Sequence, residues 1–173
     1  SPNLPQHDLI AAHPNWTRAD FNRAVFLLSG RLKTANVQTA ALWFDDAALF
    51  ACAVLAVWHS GGRVLLLPNL ARDNLDWGRT ADVFLTDSED LQSKLGNQTE
   101  QRDESGQPLD VQSNPPVWHL PDLLTHTSPE NPTPAPENHL IPDHAEAWLK
   151  TSGSSGEAQV IVKTAAQMQA EAL

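Results

Sequence analysis

The chain opens with a polar stretch and then acquires helical periodicity. Residues 1–15 are polar and contain three prolines, so they are predicted to form an irregular lead-in. A helix should follow, because Thr17 with Asp20 three residues later is typical of a capping box. Beyond this pair, apolar residues recur every three or four positions, the spacing of one helix face: Phe21, Val25, Leu28 and Leu32.

The next part of the chain is predicted to alternate strands with helices. The run 37–44 is short and apolar, which favours a buried strand, and Asp45 and Asp46 can cap a helix over about 47–60. That helix has almost no polar face, so both of its sides should be covered. Gly61 and Gly62 end it, and the apolar run 63–67 gives a second strand.

A third strand is predicted over 81–86, after a short helix near 70–76 and before a helix that ends near Gly96. Strand, buried helix and strand in this order form a βαβ unit, which favours a parallel sheet. The predicted fold class is therefore α/β, a largely parallel sheet flanked by helices, with the strands 37–44, 63–67 and 81–86 adjacent.

Composition changes between residues 97 and 143. Nine of the 13 prolines fall from Pro108 to Pro142, and within this span only the apolar residues near 117–124 look able to pack. We expect one α/β domain over residues 1–173, in which 97–143 is a Pro-rich and partly mobile loop region. The weakest attachment is expected over 98–116.

Two strand-like runs near the end of the chain enclose a stretch rich in glycine and hydroxyl groups. Residues 145–150 lead in and 160–163 lead out, which predicts a hairpin with this stretch at its tip. Glycines allow a backbone to approach a ligand closely, hydroxyls add donors, and successive N–H groups can cradle phosphate oxygens. On composition alone, a flexible connector is the alternative. The stretch is Thr151, Ser152, Gly153, Ser154, Ser155 and Gly156.

Charge and composition exclude several classes of partner. The formal net charge of −10 repels a phosphate backbone, so no nucleic-acid partner is expected. No apolar run approaches the roughly 20 residues of a membrane span, and the polar N-terminus has no signal-peptide pattern, which predicts a cytoplasmic protein. The single cysteine, Cys52, lies in an apolar helix-like run and is expected in the core.

No catalytic residue or metal site stands out. The seven histidines are scattered, and Asp45 with Asp46 is better explained as a helix cap than as a catalytic carboxylate pair. The six tryptophans fall mostly on apolar faces, which favours core packing. The glycine stretch lacks the Gly-Lys-Ser/Thr ending of a P-loop, so kinase-like or GTPase-like chemistry is disfavoured.

The order of residues from Thr151 to Gly156 resembles the phosphate-binding signature of the AMP-forming adenylating enzymes. This superfamily comprises acyl-CoA and aryl-CoA synthetases, the adenylation domains of peptide synthetases, and luciferase. Its usual pattern is Thr-Ser-Gly-Ser/Thr-Thr/Ser-Gly-x-Pro-Lys-Gly, of which the first six positions match here. Ala158, Gln159 and Val160 stand where Pro, Lys and Gly are usual. The strand and helix pattern over 16–95 is also similar to the start of the family's large N-terminal domain.

The resemblance implies an ATP-dependent carboxylate ligase, of the kind found in fatty acid metabolism. In such enzymes the loop holds the β- and γ-phosphates of ATP while an acyl or aryl acid attacks the α-phosphorus. The acyl-AMP product then passes its acyl group to a thiol of CoA or of an acyl carrier protein. The six residues of the glycine stretch are thereby the candidate nucleotide contacts.

The resemblance also implies that this chain is only part of such an enzyme. The acid pocket, the adenine pocket and the Mg²⁺ ligand are expected from parts of a longer parent chain, so 173 residues alone should be inactive. Lys150 and Lys163 flank the loop and could replace the missing cation, although solvated surface lysines are the simpler interpretation. The alternative is a non-catalytic nucleotide-binding or protein-interaction module, which Gln159 in place of Lys suggests.

Overall fold

A mixed sheet of six strands organises the described part of the chain. The computed structural model describes residues 9–12, 15–96, 114–125, 141–151 and 158–172. In chain order, the elements are β1 (Leu9–Ala12), β2 (Asn15–Thr17), α1 (Arg18–Thr34), β3 (Thr39–Trp43), α2 (Ala47–Ser60), β4 (Arg63–Leu66), α3 (Arg72–Gly78), β5 (Val83–Thr86), α4 (Glu89–Gly96), β6 (Val117–His119), α5 (Leu120–Thr125), β7 (Glu146–Lys150), β8 (Val160–Thr164) and α6 (Ala165–Glu171).

The six strands lie in the order β6-β5-β3-β4-β7-β8. The first five are mutually parallel, with Thr39 of β3 opposite Arg63 of β4 and Ala40 opposite Val83 of β5. Strand β8 runs antiparallel to β7 and forms one edge of the sheet. The structure therefore confirms the predicted α/β class and the adjacency of the three strands expected from the first half of the chain.

Alternate residues of each strand pack toward opposite faces of the sheet, as the two-residue period of a strand requires. Ala40 and Leu42 of β3 join a cluster with residues of α1 and α2, which we call the α1–α2 face. Ala41 joins a cluster with Leu75 of α3 and Leu91 of α4, which we call the α3–α4 face. Helices cover the sheet on both faces, so its central strands are almost continuously apolar.

Helix α1 begins at the predicted capping box. The Thr17 hydroxyl accepts a hydrogen bond from Asp20 N (3.2 Å), and the Asp20 carboxylate accepts from both Thr17 N (3.2 Å) and the Thr17 hydroxyl (2.7 Å). The side-chain hydrogen bond and then the backbone hydrogen bond from Thr17 lower the pKa of the Asp20 carboxyl below its ordinary value. The ionised carboxylate is therefore the form that the folded helix favours.

Helix α2 occupies the bounds that the sequence predicts. The Asp46 carboxylate accepts hydrogen bonds of 2.8 Å from Ala48 N and Leu49 N. At the other end, Gly61 takes a left-handed conformation (φ 88°), and Gly62 N donates to Val57 O, the arrangement of a Schellman motif. Both sides of α2 are covered, because it packs between α1 and strands β3 and β4. Cys52 lies in its buried face, and burial raises the pKa of the Cys52 thiol to about 12.

Two parts of the chain depart from expectation. The lead-in was predicted to be irregular, and this is wrong for β1 and β2, which form an antiparallel pair with Ala12 opposite Asn15. No proline lies within either strand, so the ladder loses no N–H donor. In the Pro-rich region, 117–119 forms a fifth parallel strand, β6, beside β5. The predictions of mobility fall mostly on 97–113 and 126–140, which lie outside the described residues.

The tryptophans pack as predicted. Trp58 is buried in α2, and the other five are half-buried against one of the two apolar clusters. Across the described ranges, no helix combines the length and apolar character needed to cross a membrane.

Candidate functional site

The glycine stretch lies between β7 and β8, which form the predicted hairpin. Because β7 is parallel to β4, its carboxyl end lies at the same edge of the sheet as the carboxyl ends of β3, β4 and β5. This is the edge at which open parallel sheets bind their ligands. Ala147 of β7 is buried against the α1–α2 face, and Trp148 packs on the α3–α4 face, so the hairpin is attached to the core from both sides.

A short neck closes the hairpin where the glycine stretch begins. Lys150 is opposite Val160, and beyond this pair Thr151 N donates to Gln159 O at 2.8 Å. The Thr151 hydroxyl donates to the same carbonyl oxygen at 3.2 Å. The two strands therefore hold Thr151 and Gln159 together.

Of the six predicted nucleotide contacts, the structure describes only one. Thr151 is half-buried in the neck, whereas Ser152, Gly153, Ser154, Ser155 and Gly156 lie outside the described residues, so their contacts with a phosphate stay a prediction. The hydroxyl hydrogen of Thr151 is already used by the Gln159 carbonyl. A phosphate oxygen would have to compete with that carbonyl, so in this arrangement Thr151 shapes the neck.

The two lysines that flank the glycine stretch differ in their partners. Lys150 Nζ donates to the backbone carbonyl of Asp73 in α3 at 3.2 Å, which places it on the α3–α4 face. Lys163 forms an ion pair with Glu171 of α6. It is opposite Ala147, whose side chain is buried against the α1–α2 face, so the two lysines lie on opposite faces of the sheet.

A carboxylate of the protein lies at the position where a doubly wound sheet usually binds its ligand. The chain leaves β3 toward β4 and leaves β5 toward β6, so the connections diverge between the adjacent strands β3 and β5. At their carboxyl ends the Asp87 carboxylate accepts hydrogen bonds from Asp45 N (2.9 Å) and Asp46 N (2.8 Å). The N–H groups of Asp45 and Asp46, just before α2, are thus already bonded to a carboxylate of the protein.

The contact of Asp87 with the backbone before α2 was not predicted from the sequence. Asp82, at the other end of β5, was missed in the same way, although its carboxylate accepts from Gln38 N and Thr39 N, both at 2.8 Å. Each carboxylate therefore ties one end of β5 to the backbone at one end of β3. The partners are more than 40 residues away in the chain, so no local sequence pattern predicts these contacts.

A cavity of about 390 Å³ lies at the carboxyl ends of β5 and β6. His119 lines it, and its ring nitrogens contact the Asp122 carboxylate at 2.9 Å and the Asp87 carbonyl at 3.0 Å. These contacts hold the end of β6 against the loop after β5. In the part of the chain that the structure describes, no group of three or more His, Cys, Asp or Glu side chains is arranged to hold a metal ion.

Solved structures of known proteins share this fold, whereas comparisons of sequence find no match. No protein-family model matches the chain, and no curated protein sequence matches it significantly. Solved structures that it resembles include o-succinylbenzoate CoA synthetase (MenE) from Bacillus subtilis in complex with the acyl-adenylate intermediate OSB-AMP, with a TM-score of 0.64 and 19% identity over 95% of this chain. They also include the N-terminal domain of FACL13 from Mycobacterium tuberculosis, with a TM-score of 0.63 and 15% identity over 88% of this chain.

A third similar structure is McyG A-PCP complexed with phenylalanyl-adenylate, with a TM-score of 0.58 and 20% identity over 86% of this chain. The chain spans 40% of the length of the MenE structure, 38% of the FACL13 structure and 27% of the McyG structure. At these identities the likeness establishes the fold, which is that of part of the N-terminal domain of AMP-forming adenylating enzymes.

Proposed function

We propose that this chain is the N-terminal portion of an ATP-dependent carboxylate ligase. The observation that carries the proposal is the position of the Thr-Ser-Gly-Ser-Ser-Gly stretch. In the chain it joins the end of β7 to the start of β8, and β7 ends at the carboxyl edge of a sheet whose fold resembles that of MenE over 95% of this chain. A sequence that resembles a phosphate-binding signature and the fold in which that signature is usual therefore occur in one chain, which supports the proposal although the sequence identity is low.

The proposed reaction has two steps. A carboxylate oxygen of an acyl or aryl acid attacks the α-phosphorus of ATP, and the bond to the β-phosphate breaks to release pyrophosphate. A thiol of CoA or of an acyl carrier protein then attacks the acyl carbonyl and releases AMP. The role assigned to residues 151–156 is to fix the β- and γ-phosphates, so that positioning and charge stabilisation lower the barrier.

The remaining parts of the site are assigned to a longer chain. The acid pocket, the adenine pocket and a Mg²⁺ ligand would come from outside these residues, and the cytoplasm is the proposed location. The resembled proteins support the reaction class, since MenE is a CoA synthetase with a bound acyl-adenylate and McyG carries phenylalanyl-adenylate. The alternative is a non-catalytic nucleotide-binding or protein-interaction module, which the neutral side chain of Gln159 favours.

Pyrophosphate release separates these functions. We expect no release by the 173-residue chain with fatty, hydroxy or aromatic acids, and release by a longer parent chain. Turnover by the 173-residue chain would refute the division of the site proposed here. If neither chain releases pyrophosphate but ATP still binds, the result would favour the non-catalytic module.

Binding of ATP tests the location of the site independently of turnover. We expect a dissociation constant near 1 mM, about −4 kcal/mol, because a phosphate loop alone makes few contacts. Amide shifts on titration should centre on residues 151–156. Ser155→Ala should weaken binding, whereas Ser93→Ala, an exposed position in α4, serves as the matched control. Shifts centred elsewhere would remove the glycine stretch from the site.

A further inference from the structure

An anion held at the neck of the β7–β8 hairpin needs a positive charge close by, because the protein as a whole is strongly acidic. Its formal net charge is −10, and residue 159, at the neck itself, is a neutral glutamine. Charge-assisted hydrogen bonds are roughly twice as strong as neutral ones. The cations next to the neck are therefore the residues to compare, and in the two strands of the hairpin these are Lys150 and Lys163.

Lys163 is poorly placed to contact an anion at the neck. It lies four residues beyond Gln159 along β8, about 14 Å at the rise of an antiparallel strand. Its ammonium group already forms an ion pair with Glu171. A bound anion would therefore have to compete with a carboxylate for a group that is far from the neck.

Lys150 lies closer to the neck than Lys163, and its ammonium group contacts a neutral acceptor. It is the last residue of β7 and immediately precedes Thr151, one residue rise of about 3.4 Å from the neck. Its Nζ donates to a neutral carbonyl, that of Asp73, at 3.2 Å, and an ammonium group has three donors, of which this bond uses one. Among the described residues, no carboxylate forms an ion pair with it. No described carboxylate therefore pairs with its charge.

We infer that Lys150 supplies the cation that binds the phosphate groups at this hairpin, in place of the neutral Gln159. The inference rests on the proposed function, because it assumes that the glycine stretch holds a nucleotide. The contact with Asp73 holds the ammonium group beside α3, and a phosphate oxygen can replace the carbonyl oxygen as its acceptor. Lys150 acts as a binding residue, and no chemical step is assigned to it.

The test compares ATP binding by the whole 173-residue chain and its variants, followed by amide shifts. Lys150→Gln, which keeps the length of the side chain and removes its charge, should weaken binding about tenfold, equal to about 1.4 kcal/mol. Lys150→Arg should bind as the unchanged chain does. Lys163→Gln, which removes the same charge at the other end of the hairpin, should change binding less than twofold. Tripolyphosphate should show the same ranking, because the contact is to phosphate.

A rescue experiment makes the assignment specific to charge at the neck. Gln159→Lys introduced into the Lys150→Gln variant should restore most of the lost affinity, since it returns one cation to the same place. If the unchanged chain binds no ATP, the proposed function fails. If it binds ATP and Lys150→Gln binds equally well, the function stands and this inference is overturned. Equal losses from Lys150→Gln and Lys163→Gln would also overturn it, because they would indicate a general charge effect.

Discussion

Replacing Asp87 by alanine removes two hydrogen bonds that join the end of β5 to the start of α2. The Asp87 carboxylate accepts from Asp46 N at 2.8 Å in a partly buried position and from Asp45 N at 2.9 Å in an exposed one. It also places a negative charge at the N-terminus of α2, where the helix dipole favours it. Without the carboxylate, water can satisfy the exposed N–H, whereas the partly buried N–H keeps a desolvation cost.

The expected loss of stability follows from the different burial of these two N–H groups. A hydrogen bond to a charged group contributes about 1.5–3 kcal/mol net, and an exposed one lies near or below the low end of that range. We therefore expect Asp87→Ala to lower the free energy of unfolding by about 2–3 kcal/mol, and Tm by about 5–10 °C for a domain of this size. Asp87→Asn keeps one neutral acceptor oxygen and should cost about 1 kcal/mol.

Urea denaturation followed by tryptophan fluorescence measures these differences. Asp143→Asn, in an exposed turn, makes the same change of charge and should alter the free energy of unfolding by less than about 0.5 kcal/mol. The slope of free energy against urea should stay constant, because the folded and unfolded surfaces are unchanged. If Asp87→Ala is as stable as Asp143→Asn, the contact between β5 and α2 does not stabilise the domain and the reasoning fails.

Two further predictions test a helix cap and a tight packing contact. Because the pKa of the Asp20 carboxyl is lowered in the folded protein from its ordinary value of 3.8, its stabilising effect is present above that value and is lost as pH falls through the folded pKa. Asp20→Asn should cost about 0.3–1 kcal/mol at pH 7, because the carboxylate lies in the first turn of α1 and is partly exposed to solvent. The difference from the unchanged chain should vanish in strong acid, and a difference that stays constant with pH would contradict this. Gly78→Ala should cost about 1–3 kcal/mol in thermal unfolding, because a Cβ would lie 2.6 Å from Cε1 of the buried Phe84. Gly30→Ala is the matched control, since nothing lies within 4 Å of its Cβ position, and a similar loss there would refute the packing explanation.

The parts of the fold that the sequence predicts well are those determined by neighbouring residues. Asp46 caps α2 and Gly61 ends it, and both signals lie within a few residues of the backbone that they fix. The order of strands and helices then favours parallel pairing, which the structure confirms for β3, β4 and β5. The strand β6 was less accessible to prediction, because three residues among prolines carry little periodicity of their own.

Features that depend on distant residues were not predictable in the same way. The pairing of β1 with β2 was missed because three prolines lie near these short strands in the sequence, although none lies within either strand. The carboxylates of Asp82 and Asp87 bind backbone N–H groups on the far side of a βαβ unit, and nothing beside them in the sequence indicates this. For the glycine stretch, the sequence predicted the hairpin, and the structure adds the neck between Thr151 and Gln159 and the different partners of the two lysines.

The place of β7 in the sheet has a consequence for the order in which contacts form. Strands β3 and β4 pair between Thr39 and Arg63, 24 residues apart, whereas β4 and β7 pair between residues about 80 apart, Val64 and Ala147. Closing the longer segment costs about 1 kcal/mol more in chain entropy, at roughly 0.6 kcal/mol for each doubling of length. Pairing of β7 with β4 therefore costs more chain entropy than pairing of β3 with β4. We therefore expect the local β3–α2–β4 unit to form before the hairpin that carries the glycine stretch docks on β4.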